Sequence, residues 1–171
     1  QAQLAASALV GAPGGFTPLI VEGERLYLAR YQAYEAQLAA QLLRRAADQP
    51  EVDEAQLSDS LQRLFANNTQ QPDWQRLAAA QAVRKRVAVI SGGPGTGKTT
   101  TVVRLLAALL EQPGGERLAI GLAAPTGKAA ARMAEAIRNA KASLPVSETI
   151  KAALPEQART LHRLLGSRGD R

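Results

Sequence analysis

The stretch Ser91-Gly92-Gly93-Pro94-Gly95-Thr96-Gly97-Lys98-Thr99-Thr100-Thr101 constrains this chain more than any other. It stands between a short apolar run, Val87-Ala88-Val89-Ile90, and a longer one, Val102 to Leu110. The predicted order is therefore buried strand, glycine-rich turn, helix. Gly92 to Thr99 fits G-x-x-x-x-G-K-[ST], the phosphate-binding loop. Its glycines can take φ > 0 and let the backbone come close to a polyphosphate. Successive N–H groups then form an anion-binding concavity, and the positive end of the following helix points at the same phosphates. In such a loop Lys98 reaches the β- and γ-phosphates and the Thr99 hydroxyl sits on Mg²⁺. The expected nucleotide-binding residues are Gly92, Gly93, Pro94, Gly95, Thr96, Gly97, Lys98, Thr99 and Thr100, with Lys98 and Thr99 as the catalytic pair. A glycine-rich turn with a surface lysine is the competing reading, and the strand–loop–helix context disfavours it.

Composition narrows the class. At 171 residues and 46% apolar, the chain can bury a core. It has no cysteine, so neither a disulfide framework nor a thiolate metal site is open to it, in keeping with a reducing cytoplasm. No run of 18 uncharged apolar residues reads as a membrane span. The chain has no initiator methionine and no signal-peptide shape, so it is expected to begin inside a longer protein. Charge is unevenly placed: residues 1–71 carry 5 Lys+Arg and 8 Asp+Glu, residues 72–171 carry 16 and 7. A basic second part suits a polyanionic partner beyond the nucleotide, or simply a solvated basic surface.

The first part reads as helix over 1–10, then short β-type runs at 16–21 and 25–28 joined by a turn at Glu22-Gly23-Glu24. A helix over 29–47 places Tyr31, Tyr34, Leu38 and Leu42 on one face, as expected of a core stripe. A second helix, about 53–65, carries Leu57, Leu61, Leu64 and Phe65. The polar stretch 66–72 marks a boundary between a domain at 1–66 and another at 67–171. Asp73 caps a further helix with Trp74, Gln75, Leu77, Ala78 and Val83. After the loop and its helix come an apolar run at 118–123, a turn at Pro125-Thr126-Gly127-Lys128 and an alanine-rich helix at 129–141. Strand–helix–strand–helix implies an α/β fold with a parallel sheet.

Four blocks now stand in order: Asp73-Trp74-Gln75, the loop at 91–101, LAAPTGKAAARM at 122–133, and TLHRLLG at 160–166. Together they resemble the RecD family, superfamily 1 DNA helicases that are the alpha chains of exodeoxyribonuclease V. GERLYLARY at 23–31 and EVDEAQL at 51–57 resemble that family's amino-terminal region. The resemblance implies a small α+β amino-terminal, subunit-docking domain followed by the first part of a RecA-like P-loop NTPase sheet. It implies ATP and Mg²⁺ as cofactors, with Thr99 on the metal and Gln75 against adenine. It implies single-stranded DNA at a duplex end along Pro125, Thr126, Gly127 and Lys128 (motif Ia) and Thr160 and His162 (motif Ib). It also implies RecB and RecC partners, a cytoplasmic location and 5′ to 3′ translocation in double-strand-break repair. Read without the family, Lys128 and Arg132 are an ordinary exposed helix start, and His162 between leucines is equally a half-buried, hydrogen-bonded histidine.

The sequence departs from the full pattern. A P-loop ATPase needs a second carboxylate on an adjacent strand. The acids beyond Thr99 are Glu111, Glu116, Glu135, Glu148, Glu156 and Asp170, and none follows an apolar strand. The chain is thus expected to be the amino-terminal part of such a helicase, able to bind nucleotide but inactive by itself. A clamp-loader type of P-loop ATPase and a non-catalytic assembly module with a vestigial nucleotide site are the alternatives. Lys98 supplies the point charge on the phosphates. Lys98→Ala in the full-length protein should therefore abolish ATP turnover and leave the circular dichroism spectrum unchanged. Normal turnover would remove the assignment.

Overall fold

The computed structural model describes residues 7–66 and 72–166. The chain divides into two compact units, Gln1–Asp48 and Gln49–Arg171. In the first, β1 (Val10–Gly11) pairs in parallel with β2 (Leu19–Glu22), which pairs antiparallel with β3 (Arg25–Leu28). Glu22 faces Arg25 across the two-residue turn Gly23-Glu24. Gly23 has φ +60 there, as the first central position of a type II′ hairpin requires. The expected helix over 1–10 does not form in its described part. Val10 donates its N–H to the Ser7 carbonyl in a turn and then enters the sheet. Residues 1–6 lie outside the described residues.

Helix α1 (Ala29–Ala47) follows β3 directly and ends with Arg44 and Arg45 in its last turn, where cations suit the dipole. Its bounds match the sequence reading, but its burial does not. Tyr31, Tyr34, Leu38 and Leu42 are 46–61% exposed, and no residue of α1 is buried. The two tyrosine rings meet edge to face, 6.5 Å between centroids. The stripe is a surface, not a core. Three- and four-residue spacing defines a helix face but does not specify what covers it.

The second unit is built on the helix that follows the glycine-rich loop. Helices α2 (Glu54–Leu64) and α3 (Trp74–Val83) are each capped by an aspartate: Asp53 accepts from the Gln56 N–H and Asp73 from the Arg76 N–H, both at 2.9 Å. Helix α4 (Lys98–Leu110) packs against both. Leu57, Leu61 and Leu64 of α2 meet Val103, Ala107 and Ala108 of α4 and Ala79 and Val83 of α3 in one core. All are at most 4% exposed. The Arg104 guanidinium lies 5.0 Å above the Phe65 ring. Helix α2 therefore belongs to the unit that holds the loop, and the compact boundary lies at 48/49, upstream of the polar stretch at 66–72.

Polar ties hold the same helices. The Ser60 hydroxyl donates to Glu111 at 2.6 Å, and Arg63 donates to both oxygens of that carboxylate at 2.9 and 3.0 Å. Glu111 is thus satisfied at the carboxyl end of α4. Arg84, just past α3, donates to both oxygens of Glu54. That guanidinium holds the Glu54 carboxyl below the usual carboxylate range, so the tie stands at neutral pH and is lost as pH falls through the depressed value.

After a 3₁₀ turn (Gly115–Arg117) come β4 (Leu122–Ala124), α5 (Gly127–Ala142), α6 (Glu148–Ala153), β5 (Ala158–Thr160) and the short α7 (Leu161–Leu164). β4 and β5 pair in parallel, Ala124 opposite Thr160, with α5 and α6 supplying the crossover that parallel strands need. The fold is α/β, as expected. The strand expected at 87–90 is not formed: no ladder includes it among the described residues, and Val89 is 89% exposed. An apolar run makes a strand only where a neighbour offers a hydrogen-bonding edge. Conversely, β5 escaped sequence reading because Ala-Arg-Thr carries no apolar pattern.

Leu57 is 0% exposed at the centre of the α2–α3–α4 core. Leu57→Ala should lower the unfolding free energy by about 2–5 kcal/mol, read as a lower urea midpoint at unchanged slope. A midpoint within error of the parent would mean that α2 is not part of this core.

Candidate functional site

The glycine-rich loop turns on two residues with positive φ, Gly95 at +74 and Gly97 at +75. Gly97 is the residue before the first turn of α4, so the N–H groups of Lys98, Thr99 and Thr100 open the helix without earlier helical carbonyls to receive them. The cradle is closely fitted. A Cβ on Gly97 would lie 2.7 Å from Gln75 Nε2, and one on Gly92 2.7 Å from Thr96 Oγ1. A Cβ on Gly95 would meet nothing within 4 Å. The Thr96 hydroxyl donates to the Gly93 carbonyl at 2.9 Å, and the buried Thr101 hydroxyl to the Gly97 carbonyl at 3.0 Å. The Lys98 ammonium arches back over the loop and donates to the carbonyls of Gly92 (2.6 Å) and Gly93 (2.5 Å). A cation is thus held at the concavity where an anion's oxygens would meet the loop. Thr99 is exposed beside it; Pro94 is exposed and Thr100 half-buried.

Helix α3 closes the site from the other side. A cleft of about 380 Å³ is lined by Trp74, Gln75, Ala78, Ile90, Ser91, Gly92, Thr96, Lys98 and Thr101. Its size is within the range of small-molecule sites. Gln75 Nε2 donates to the Thr96 carbonyl at 3.0 Å. The structure therefore brings Gln75 and the loop together. Trp74, Ala78 and Ile90 also line this cleft, and sequence reasoning passed over them; only their nearness to Gln75 and to the loop pointed there. Among the described residues no carboxylate lines the cleft. Glu111 is bound to Ser60 and Arg63, Glu156 to Lys141 and Glu148 to Lys151. Among the described residues no cluster of acids and histidines could hold a metal ion. The loop thus fits the phosphates of a nucleotide, and the exposed Thr99 hydroxyl would offer one hard oxygen to a cation that such phosphates would hold.

A second group gathers at the carboxyl ends of β4 and β5. Pro125-Thr126-Gly127-Lys128 follows β4, and Thr160 ends β5 directly opposite Ala124. Both threonines are helix caps: Thr126 accepts from the Ala129 N–H at 3.2 Å and Thr160 from the Arg163 N–H at 3.3 Å. Each hydroxyl still has its own hydrogen to donate. Lys128, Arg132, Arg159 and Arg163 are exposed, and so is His162, which excludes its half-buried reading. Parallel pairing thus brings together two segments some thirty residues apart in sequence and presents amides, hydroxyls and cations on one edge.

The chain matches the family model described as "AAA domain" over residues 75–171. It is 48% identical over 152 residues to the RecBCD enzyme subunit RecD of Mycobacterium tuberculosis (strain ATCC 25618 / H37Rv), covering 84% of this chain and 24% of that protein. It is 43% identical over 172 residues to the subunit of the same name from Mycolicibacterium smegmatis, covering 99% and 29%. It is 41% identical over 86 residues to the ATP-dependent RecD2 DNA helicase of Deinococcus radiodurans, covering 50% and 9%. The chain spans about a quarter of the length of the RecD relatives it matches.

Gly97 combines positive φ with close contact, whereas Gly127, on the first turn of α5, has neither. Gly97→Ala should cost about 1–3 kcal/mol of stability. Gly127→Ala should be neutral or stabilise by roughly 0.5–1 kcal/mol. Equal melting shifts for the two variants would contradict the loop geometry.

Proposed function

We propose, for a chain that belongs to the AAA domain family and groups with the RecD proteins, that it serves an ATP-dependent 5′ to 3′ DNA helicase subunit of an exodeoxyribonuclease V complex. The observation that carries this is the Lys98 ammonium poised over the Gly92 and Gly93 carbonyls, in the cleft that Gln75 closes. Loop amides and Lys98 take the β- and γ-phosphates of ATP, and Gln75 meets the edge of adenine. Thr99 would hold Mg²⁺, which would supply charge neutralisation on the phosphates. The described lining of this cleft holds no carboxylate, so the group that orients the attacking water comes from outside it.

The basic edge at the ends of β4 and β5 receives single-stranded DNA. Thr126, Gly127, Lys128, Thr160 and His162 contact its backbone, which fixes position without reading sequence. Pro125 shapes the turn from β4 into α5. The unit at 1–48 docks on partner subunits of the RecB and RecC kind, as the exposed Tyr31, Tyr34, Leu38 and Leu42 favour. No helix among the described residues is long and apolar enough to cross a membrane, and a cytoplasmic site of action suits a DNA-end enzyme.

If Lys128 neutralises one DNA phosphate, Lys128→Ala in the full-length protein should weaken binding alike for all sequences. The slope of log affinity against log salt should fall by roughly 0.7. An unchanged slope would place Lys128 off the DNA path.

A further inference from the structure

The cleft beside the loop has a wall that phosphate chemistry does not use. Trp74 is the chain's single tryptophan, and it is 70% exposed. It sits at the first residue of α3, fixed there by the Asp73 cap, and lines the same cleft as Gly92, Thr96 and Lys98. Ala78, one turn further along α3, and Ile90 extend that wall as apolar surface. Gln75, the next residue, is already drawn to the loop by its bond to Thr96. An indole is among the largest apolar surfaces a side chain can offer, and covering its face with another aromatic ring is favourable.

We propose that Trp74 is the base platform of the nucleotide site: its indole face stacks on the purine ring of the bound triphosphate and selects purine over pyrimidine nucleotides. This rests on the nucleotide reading of the loop. The occupant follows from the wall's neighbours. A ligand anchored by its phosphates on Gly92–Lys98 carries a heteroaromatic ring at its other end, and the cleft between loop and α3 leads to Trp74. Stacking tolerates any π-face but grows with ring area, so two-ring bases gain more than one-ring bases. Gln75 then supplies hydrogen bonds at the ring edge while Trp74 supplies the face.

The test is equilibrium binding of ATP, CTP and inorganic tripolyphosphate to the full-length protein, as wild type and as Trp74→Ala, Trp74→Phe and Lys98→Ala. Trp74→Ala should weaken ATP about tenfold or more. It should leave tripolyphosphate within twofold and bring ATP and CTP affinities together, while Trp74→Phe keeps most of the purine preference. Unchanged ATP affinity in Trp74→Ala would overturn the proposal and show that another part of the protein covers the indole. Parallel loss of ATP and tripolyphosphate, restored together by Trp74→Phe, would also overturn it, since that is a structural role. Equal ATP affinity of wild type and Lys98→Ala would instead overturn the nucleotide reading itself.

Discussion

Everything in the second unit depends on how α4 is gripped. One face of this helix, through Val103, Ala107 and Ala108, is fully buried against α2 and α3. Its carboxyl end is tied by Glu111 to Ser60 and Arg63. Its amino end carries Gly97, Lys98 and the loop. A phosphate cradle works by pointing N–H groups at fixed positions, so a helix that could roll or slide would blur it. Helix α3 packs along α4, and its first turn sets Gln75 and Trp74 beside the loop. The close fit of Gly97 against Gln75 is the other side of the same constraint.

The same helix links the loop to the basic edge. Helix α5 packs on α4 and on both parallel strands, and its first turn is the segment after β4. Nucleotide loop and strand-end edge are therefore two openings of one packed core. Strand-to-helix turns at the carboxyl ends of parallel strands are where α/β proteins bind ligands, because backbone amides at helix starts gather there. Thr126 and Thr160 cap two such helix starts side by side.

Features carried by local rules were legible in the sequence. The loop could be read because its function needs glycines at fixed offsets, with a lysine and a hydroxyl after them. Helix α2 could be read because Leu57, Leu61 and Leu64 repeat at helical spacing, and both aspartate caps could be read from residue type alone. What needed a partner in space could not be read. Tyr31, Tyr34, Leu38 and Leu42 make an apolar face, but periodicity does not say whether the same chain covers it. Val87 to Ile90 look like a strand, yet no neighbouring edge pairs with them among the described residues. Ala158 to Thr160 look like nothing in particular and pair with β4 through the backbone. The resemblance implied a role for Gln75; the cleft added Trp74, which the Asp73-Trp74-Gln75 block contains without giving it a role.

On this reading, loop 92–99 and the start of α3 form one nucleotide site on a rigid helix. Hydrogen exchange of the full-length protein, followed by mass spectrometry with and without a non-hydrolysable ATP analogue and Mg²⁺, tests it most directly. Ligand should slow exchange in peptides spanning residues 92–101 and 73–78, and leave the peptide over 54–64, already packed, unchanged. Protection confined to other parts of the protein, with the 92–101 peptide exchanging as fast as before, would contradict the account.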